Sequence, residues 1–269
     1  MGVLSSDAEY CPISGVLLTF RRPAVLVVAL ALSCGALAAS SAAMAQAKLA
    51  STKPAAAKLA RPPAGVLGID VSSWQPHIRW KIVKADHLRF AYIKATEGTY
   101  YQSPTFRSQY RGARGAGIVV GAYHFATPDT SSGAAQARYF AAHGGGWRAG
   151  ALPGVLDIEG NPYGRRCYGL TPAAMTGWIR VFVRTYHART GWWPVINTFT
   201  SWWKACTGNT LVFAARDPLW VNAHGRTASP LPAGWTSYTV WQWAETGTYP
   251  ADQDVIPARL FSRLHHEPR

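Results

Sequence analysis

The sequence is short of acidic residues and of charge in general. Of its 269 residues, 13 are Asp or Glu and 27 are Lys or Arg, and charged residues make up 15% of the chain against 48% hydrophobic ones. This composition is typical of a folded globular protein and argues against an intrinsically disordered one. The formal net charge of +14 and the pI near 10 favour attraction to anionic polymers or lipid head groups.

Several motifs are also missing. No CxxC or HExxH spacing occurs, which argues against a metal site. The basic residues are scattered and no known nucleic-acid-binding module is present, which argues against a nucleic-acid partner. No internal repeat, second linker or appended binding module interrupts the composition after Val66.

The first part of the chain has the features of a secretory signal peptide. Arg21 and Arg22 precede an apolar stretch at residues 24–39, which small residues follow. The apolar stretch is too short for a comfortable membrane span. We expect residues 1–47 to be cleaved on export, so that the protein is secreted or held in the cell wall without stable membrane association. A lipoprotein anchored through Cys34 and a retained anchor helix are the alternatives.

The remainder divides into two parts by composition. Residues 48–64 are rich in Ala, Lys and Pro and predict a linker or disordered arm. Residues 65–269 are uniform and predict one domain, expected to be a monomer.

The cysteine count agrees with export. Cys11 and Cys34 fall in the targeting region, which leaves Cys167 and Cys206 in the domain. An even pair in an exported chain favours a disulfide. It would close a loop of roughly 40 residues and stabilise the fold by about 3–4 kcal/mol on the chain-entropy model. Two free buried thiols are the alternative.

Strand and helix patterns alternate along the domain. This alternation indicates a mostly parallel sheet, and seven or eight such units predict an α/β fold with a single irregular (β/α) TIM-like barrel. Strands are predicted at 66–71, 90–96, 118–125, 155–159, 195–199, 219–222 and 238–243, and helices at 78–86, 104–113, 131–143 and 172–190.

Two of these helices carry start and stop signals. Thr171 is a good N-cap, Pro172 suits the first helical position, and Gly191 suits the position just past the end. Ser103 and Pro104 predict the start of the helix at 104–113 in the same way.

Polar residues gather where the predicted strands end. In a (β/α) barrel the chemistry lies at the carboxyl ends of the strands. These ends carry Asp70, Glu97, Tyr123, His124, Asp157, Glu159, Trp241, Gln242 and Trp243, and Asp252 is expected in the loop after the last strand.

The acidic residues are few enough to weigh one by one, because only eleven follow the signal segment. Polar, terminal or turn-like contexts predict solvated or capping roles for Asp86, Asp129, Asp217, Glu245 and Glu267. Apolar settings or strand ends leave the candidates Asp70, Glu97, Asp157, Glu159, Asp252 and Asp254.

Asp157 and Glu159 form the sharpest pattern among these candidates. Positions i and i+2 of a strand point to the same face, with Cα atoms about 6.5–7 Å apart. Two carboxyls on one face, behind apolar residues, raise each other's pKa through like-charge repulsion and desolvation. One can then act as a general acid while the other stays anionic, which glycoside hydrolysis requires. A salt-bridge hub with Arg165 or Arg166, or half of a metal site, would use the same residues.

Ordered motifs along the domain resemble the glycoside hydrolase family 25 lysozymes, the Chalaropsis-type muramidases. The likeness covers about residues 68–264. It rests on Gly68-Ile69-Asp70-Val71-Ser72 with Trp74-Gln75, Lys94-Ala95-Thr96-Glu97-Gly98, Gly121-Ala122-Tyr123-His124-Phe125, Asp157-Ile158-Glu159, Leu219-Trp220-Val221 and Trp241-Gln242-Trp243.

The resemblance implies a flattened barrel with an acidic groove. It implies a secreted lysozyme (N-acetylmuramidase) that cleaves the β-1,4 bond between N-acetylmuramic acid and N-acetylglucosamine in peptidoglycan, without a cofactor. Glu159 would be the general acid and Asp157 its partner. Asp70 and Asp252 would complete the acidic set, with Asp254 as the alternative to Asp252. The resemblance also implies the Cys167–Cys206 disulfide. Residues expected to bind substrate are Glu97, Tyr123, Trp241 and Gln242.

Two departures from the family pattern put the sugar subsites in question. Asn197 stands where the family commonly has Tyr, and Asn222-Ala223-His224 replaces a small residue followed by an aromatic one. A chitinase-like hydrolase and a wall-glycan-binding protein without turnover are the rival interpretations.

Overall fold

The computed structural model describes residues 62–146, 148, 150–247 and 251–266. The predicted signal segment, residues 1–47, and residues 48–61 of the predicted linker lie outside the described residues. Within the described ranges, no helix is both long and apolar enough to cross a bilayer.

Strands and helices alternate through the described part of the chain. The strands are β1 (Val66–Val71), β2 (Phe90–Glu97), β3 (Tyr101–Gln102), β4 (Val119–Phe125), β5 (Val155–Asp157), β6 (Val195–Phe199), β7 (Leu219–Asn222), β8 (Val240–Ala244) and β9 (Asp252–Ile256). The helices are α1 (Trp80–Ala85), α2 (Phe106–Gly115), α3 (Gly133–Phe140), α4 (Pro172–Thr190), α5 (Thr200–Thr207) and α6 (Ala258–His266), and a π-helical turn at Ala141–Gly145 extends α3.

The sheet closes into a barrel. Its strand order is β1-β9-β8-β7-β6-β5-β4-β2, and β1 also pairs with β2 in parallel. The short β3 adds to β2 as an antiparallel ribbon outside this ring. The predicted α/β TIM-like barrel is confirmed, and its irregularity is located in β9, which is antiparallel to both of its neighbours.

Strand β9 corrects the expectation that Asp252 lies in a loop. Asp252 begins the strand and is the Cα partner of Asp70 on β1. Asp254 and Ile256, at i+2 and i+4, share its face and point into the barrel, while Val255 packs in the outer core. Two carboxyls on the inner face interrupt the apolar alternation that predicts a strand.

The hydrophobic residues form an inner and an outer layer. Inside the barrel, Phe90, Tyr92 and Trp220 pack with aliphatic side chains from the facing strands. Gly68 and Gly121 leave the space that the Phe90 and Tyr92 rings occupy, because a Cβ atom at either position would collide with those rings. The outer layer lies between the strands and the helices and buries one face of α4.

The helix boundaries follow their capping residues. The Thr171 hydroxyl accepts a hydrogen bond from the Ala174 amide at 3.3 Å, and Gly191 ends α4 with φ of 78°. These two signals were predicted correctly. The predicted start of α2 is wrong by two residues, since Ser103 and Pro104 lie in a turn closed by the Phe106 amide on the Ser103 carbonyl.

Asp217 is not the solvated turn residue that the sequence predicts. It precedes β7 with only 1% of its surface exposed, and neither carboxyl oxygen has a hydrogen-bond partner among the described residues. Burial raises the pKa of this carboxyl from 3.8 to about 7, although the charge of Arg216 opposes the shift.

Candidate active site

An open groove of about 370 Å³ lies at the carboxyl ends of the parallel strands. We call it the acidic groove, since five carboxyls and a single lysine are the charged side chains in its lining. Residues from several strands line it, namely Asp70, Val71, Ser72, Trp74, Gln75, Lys94, Tyr123, Phe125, Val155, Asp157, Glu159, Asn197, Phe199, Trp220, Asn222, Gln242, Glu245 and Asp252.

Asp157 and Glu159 both face this groove. Strand β5 ends at Asp157, two residues earlier than predicted, but Ile158 remains fully buried in the outer core. The two carboxyls therefore keep a common direction on either side of an anchored apolar residue. Burial and the neighbouring Glu159 carboxyl raise the pKa of Asp157 well above its ordinary value.

Glu159 has the electrostatic properties of a proton donor near neutral pH. Burial and then the charge of Asp252 raise the pKa of Glu159 to about 7. Lys94 and a side-chain hydrogen bond with Asn222 oppose this rise. A carboxyl with a pKa in this range is partly protonated at neutral pH and can give its proton to a leaving oxygen.

Asp70, Asp252 and Asp254 form a second group of carboxyls opposite the pair. The amide Nε2 of Gln242 donates a hydrogen bond to Asp70 Oδ2 at 2.9 Å. Burial and then Asp252 raise the pKa of Asp70 to about 8, and burial and then Glu245 raise that of Asp252 to about 6. Asp254 lies beneath the groove, fully buried, where burial and Asp70 raise its pKa well above the ordinary value. Both register alternatives thus belong to one acidic cluster, and Asp252 is the one that reaches the groove.

Tyr123 and Gln242 line the groove as the sequence predicts. Burial and the surrounding carboxyls, Asp70 first and Asp157 next, raise the pKa of Tyr123 well above its usual value, so its hydroxyl keeps its proton. Gln242 joins two groups, because its Oε1 atom lies 2.9 Å from His224 Nε2 while its amide holds Asp70.

Trp241 does not line the groove. Its ring is 5% exposed and packs in the outer core, and its indole nitrogen donates to the Ala223 carbonyl at 2.7 Å. The reason is the strand alternation of β8, in which Gln242 points inward and its two tryptophan neighbours point outward. The position of Trp241 therefore does not support the prediction that it binds sugar in the groove.

Glu97 also lies outside the groove lining. Its carboxylate forms an ion pair with Lys94 at 2.6 Å and accepts hydrogen bonds from Tyr163 at 2.7 Å and Tyr100 at 2.9 Å. These contacts with Lys94 and the two hydroxyls outweigh burial and lower the pKa of Glu97. The geometry makes Glu97 the anchor of Lys94 and Tyr163 rather than a direct contact for a bound sugar.

Asn197 and Asn222, which depart from the family pattern, both line the groove. They were not predicted as site residues. Asn197 and Asn222 exchange two amide hydrogen bonds, each of 2.9 Å, between adjacent strands β6 and β7. Nearby, His224 Nδ1 lies 3.2 Å from Glu245 Oε1. The sequence did contain a signal for the contact between the two asparagines. Both departures place an asparagine on a strand, and the two strands, β6 and β7, are neighbours in a barrel of this order.

Trp74 and Lys94 are two further groove residues that were not predicted as site residues. Trp74 is 89% exposed, although it is a large aromatic side chain. Lys94 lies over the Phe125 ring, with Nζ 4.7 Å from its centre. Both residues occur in the motifs that resemble the family. An analysis limited to the carboxyl residues does not identify them.

The loop that follows Glu159 is held by covalent and hydrogen bonds. The structure joins Cys167 to Cys206 on α5, with Cα atoms 5.3 Å apart, as the cysteine count favours. The Trp202 indole donates to the Arg166 carbonyl at 3.0 Å. These contacts fix the groove wall beside Glu159. Across the described residues, no group of three or more His, Cys, Asp or Glu side chains is placed to hold a metal ion.

Known proteins are similar to this chain in sequence and in architecture. Lysozyme M1 of Streptomyces globisporus is 52% identical over 185 residues, which is 68% of this chain and 63% of that protein, so the match spans just under two thirds of that relative. An N,O-diacetylmuramidase of Chalaropsis sp. is 43% identical over 197 residues, 71% of this chain and 93% of the relative. The solved muramidase of Acremonium alcalophilum superposes with a TM-score of 0.72 at 50% identity, over 74% of this chain and 97% of that one.

The family profile named Glycosyl hydrolases family 25 matches residues 69–252, from the strand that carries Asp70 to Asp252 itself. The matched range thus begins on β1 and ends on β9, the adjacent strands that carry Asp70 and Asp252. With a barrel, a groove and relatives in common, the chain belongs to glycosyl hydrolases family 25, a family of glycoside-hydrolysing enzymes.

Proposed function

We propose that this protein is a lysozyme that hydrolyses the β-1,4 bond between N-acetylmuramic acid and N-acetylglucosamine in bacterial peptidoglycan. The observation that carries the proposal is the Asp157–Glu159 pair, two half-buried carboxyls with raised pKa values in an open groove. Relatives named lysozyme and diacetylmuramidase support the choice of substrate.

In this proposal Glu159 is the general acid. Its pKa of about 7 keeps it partly protonated at neutral pH, which is the condition for donating a proton to the glycosidic oxygen. The amide of Asn222 holds the carboxyl by a hydrogen bond and so orients it toward the groove.

Asp157 is the charged partner. Its Oδ1 atom is buried and has no hydrogen-bond partner among the described residues, so it is placed to accept a hydrogen bond from the substrate. As the glycosidic bond breaks, positive charge develops on the sugar and stabilises the ionised form of Asp157, as Lys94 already does. Two nucleophiles fit this arrangement: the substrate's own 2-acetamido oxygen, and a water molecule.

Asp70 and Asp252 are assigned positioning roles. They are Cα partners on adjacent strands across the groove from Glu159, and the charge of Asp252 raises the pKa of Glu159. Tyr123 and Gln242 are the predicted substrate-binding residues that reach the groove, and exposed Trp74 offers a flat aromatic face to a sugar ring.

The cellular setting follows from the sequence. We propose that residues 1–47 direct export and that the 65–269 domain acts as a secreted or wall-associated monomer. The Cys167–Cys206 disulfide is consistent with an oxidising compartment.

Mass analysis of the fragments released from purified peptidoglycan tests the proposal. A muramidase leaves muramic acid at the new reducing ends. Glucosamine at the reducing ends, or anhydro products, would contradict it. Faster release from chitin than from peptidoglycan would support the chitinase-like rival, and wall binding without new reducing ends would support a protein that has lost turnover.

A further inference from the structure

The segment from β3 to β5 carries mostly positive charge. From Gly98 to Leu156 the chain contains one acidic residue, Asp129, against five arginines. Three of these arginines lie on α2 at positions 107, 111 and 114, which is the i, i+4, i+7 spacing of one helix face. Helix α2 therefore presents a row of three positive charges along one face.

The α2 arginines line a large open cleft between α2 and the π-helical turn after α3. Its volume is about 820 Å³. We call it the basic cleft, and its lining consists of Ala95, Gln102, Ser103, Phe106, Arg107, Tyr110, Arg111, Arg114, Ala142, His143, Gly144 and Arg148. It shares no lining residue with the acidic groove, because Lys94 on β2 points into the barrel and Ala95 points out.

The guanidinium groups of this cleft have no partner in the described part of the chain. Arg107, Arg111, Arg114 and Arg148 are all exposed, and none forms an ion pair or a side-chain hydrogen bond there. No acidic residue lines the cleft. Four like charges facing one concave surface repel one another, so an anion bound between them would relieve that repulsion.

The arrangement favours a polymer over a single anion. A rise of 1.5 Å per residue places the row from Arg107 to Arg114 along about 10 Å of the helix. Every cation in the row is an arginine, whose planar fork binds phosphate oxygens in bidentate fashion. Between the charges, the Phe106 and Tyr110 rings, with centres 5.4 Å apart, offer apolar contact to the carbon chain of such a polymer.

We propose that the basic cleft binds an anionic phosphodiester polymer of the bacterial wall, of the poly(glycerol phosphate) type, while the acidic groove binds the glycan. The choice of polymer rests on the proposed wall substrate. The shape of the cleft supports it over single-stranded nucleic acid, whose binding sites use a series of aromatic platforms for successive bases, since the two rings here pack against each other at an interplanar angle of 49°.

The test measures binding of purified, lipid-free poly(glycerol phosphate) by isothermal titration calorimetry in a salt series. The cleft variant carries Arg107→Gln, Arg111→Gln and Arg114→Gln. Its control carries Arg184→Gln, Arg189→Gln and Arg259→Gln, three exposed arginines outside the cleft with the same loss of charge. Gln keeps helix propensity close to that of Arg, and thermal melts verify that all three proteins are folded.

Each outcome decides the proposal. We expect the cleft variant to lose about 100-fold in affinity at about 0.1 M salt, and the slope of log affinity against log salt to fall by about two, if each lost phosphate contact contributes about 0.7. We expect the control to bind within a few-fold of the unmodified protein. Equal losses in both variants, or none in the cleft variant, would overturn the proposal. Cleft-dependent binding of single-stranded DNA that is tighter than binding of the polymer would assign the cleft to nucleic acid instead.

The binding assay does not depend on hydrolysis. Both variants should release reducing ends from polymer-free peptidoglycan at the unmodified rate, since none of the substituted arginines lines the acidic groove. If hydrolysis is absent in all three proteins, the proposed function fails while the cleft is still tested by its own affinity.

Discussion

The acidic groove and the basic cleft lie on opposite sides of one strand, β2, yet they hold charge in opposite ways. In the groove, burial is the first cause of the raised pKa values of Asp70, Glu159 and Asp252. In the cleft, the arginines are exposed to water and remain charged. Burial in the acidic groove therefore decides whether a carboxyl holds its proton, whereas the basic cleft presents positive charge to the solvent.

This difference suits the acidic groove to proton transfer and the basic cleft to the attraction of a polyanion. A carboxyl must be desolvated before its pKa reaches the range where it can both give and regain a proton. An exposed guanidinium has no such use, but it attracts a polyanion at little cost in folding stability. We expect substitutions in the groove to change turnover, and substitutions in the cleft to change where and how tightly the enzyme binds.

The largest expected effect is on turnover and comes from Glu159. The Glu159→Gln variant keeps the shape of the side chain and removes the transferable proton. We expect kcat/KM on peptidoglycan, measured by release of reducing ends, to fall by about 10²–10⁴-fold, while affinity for poly(glycerol phosphate) is unchanged. Asp86→Asn, which removes an exposed carboxyl on α1's end, serves as the control. A folded Glu159→Gln variant with full activity would remove Glu159 from the mechanism.

The pH dependence gives a second prediction. The acid form of Glu159 is the active one, and its pKa is about 7. The limb that Glu159 sets should therefore fall about tenfold per unit as the pH rises above this value. A profile of kcat/KM against pH for soluble muropeptide oligomers measures this limb, and its absence up to about pH 9 would contradict the assignment.

Two neighbours of Glu159 should move this limb in opposite directions. Asp252→Asn removes a negative charge that raises the pKa of Glu159, so the limb should move to lower pH. Asn222→Ala removes a hydrogen bond that favours the ionised form, so the limb should move to higher pH. Asn222→Ala also leaves Asn197 without its buried partner, at a cost of about 1–3 kcal/mol, so melts must accompany the profiles. Shifts of the same sign would show that the groove charges do not act through Glu159.

The sequence was sufficient to predict the parallel strands but not the site they create. Strand β1 and helix α4 were predicted at their observed bounds, because an apolar run and the Thr171–Gly191 caps are local signals. Strand β9 was missed, because Asp252 and Asp254 replace the apolar residues of its inner face. The residues that make the groove acidic are thus the ones that hide the strand.

Side-chain direction was the second limit. Trp241 and Gln242 are adjacent in one motif, and only pairing of β8 with β7 and β9 decides which of them faces inward. Glu97 ends a strand as a groove residue should, but Lys94, Tyr100 and Tyr163 occupy its oxygens. Lys94 and Tyr100 are each three residues from Glu97, but Tyr163 comes from a distant part of the chain, which no local pattern reveals.

Asp217 is a buried carboxyl outside both sites, so it tests how burial of a carboxyl affects folding stability alone. The unfolded state ionises near pH 3.8 and the folded state near 7, so the folding stability tied to this group is present below about pH 4 and is lost as the pH rises to about 7. We expect Asp217→Asn to raise the free energy of unfolding by about 1–2 kcal/mol at about pH 8 and to have little effect at about pH 4. Denaturant melts at both values measure the difference, with unchanged kcat/KM. A loss of activity without a loss of structure would show that buried carboxyls matter for turnover beyond the groove.

The smallest expected effect links the two sites on a natural substrate. On walls that still carry their anionic polymer, the basic cleft should hold the enzyme near its glycan, so the Arg107, Arg111 and Arg114 to Gln variant should act a few-fold more slowly at low salt. At about 1 M salt the Debye length falls to about 3 Å, and the rates of the variant and the unmodified protein should converge. On polymer-free peptidoglycan the two should agree at every salt concentration. A salt-dependent difference that persists on the polymer-free substrate would mean that the arginines act on the glycan or its peptides. The acidic groove and the basic cleft would then not divide hydrolysis and polymer binding between the two sides of strand β2.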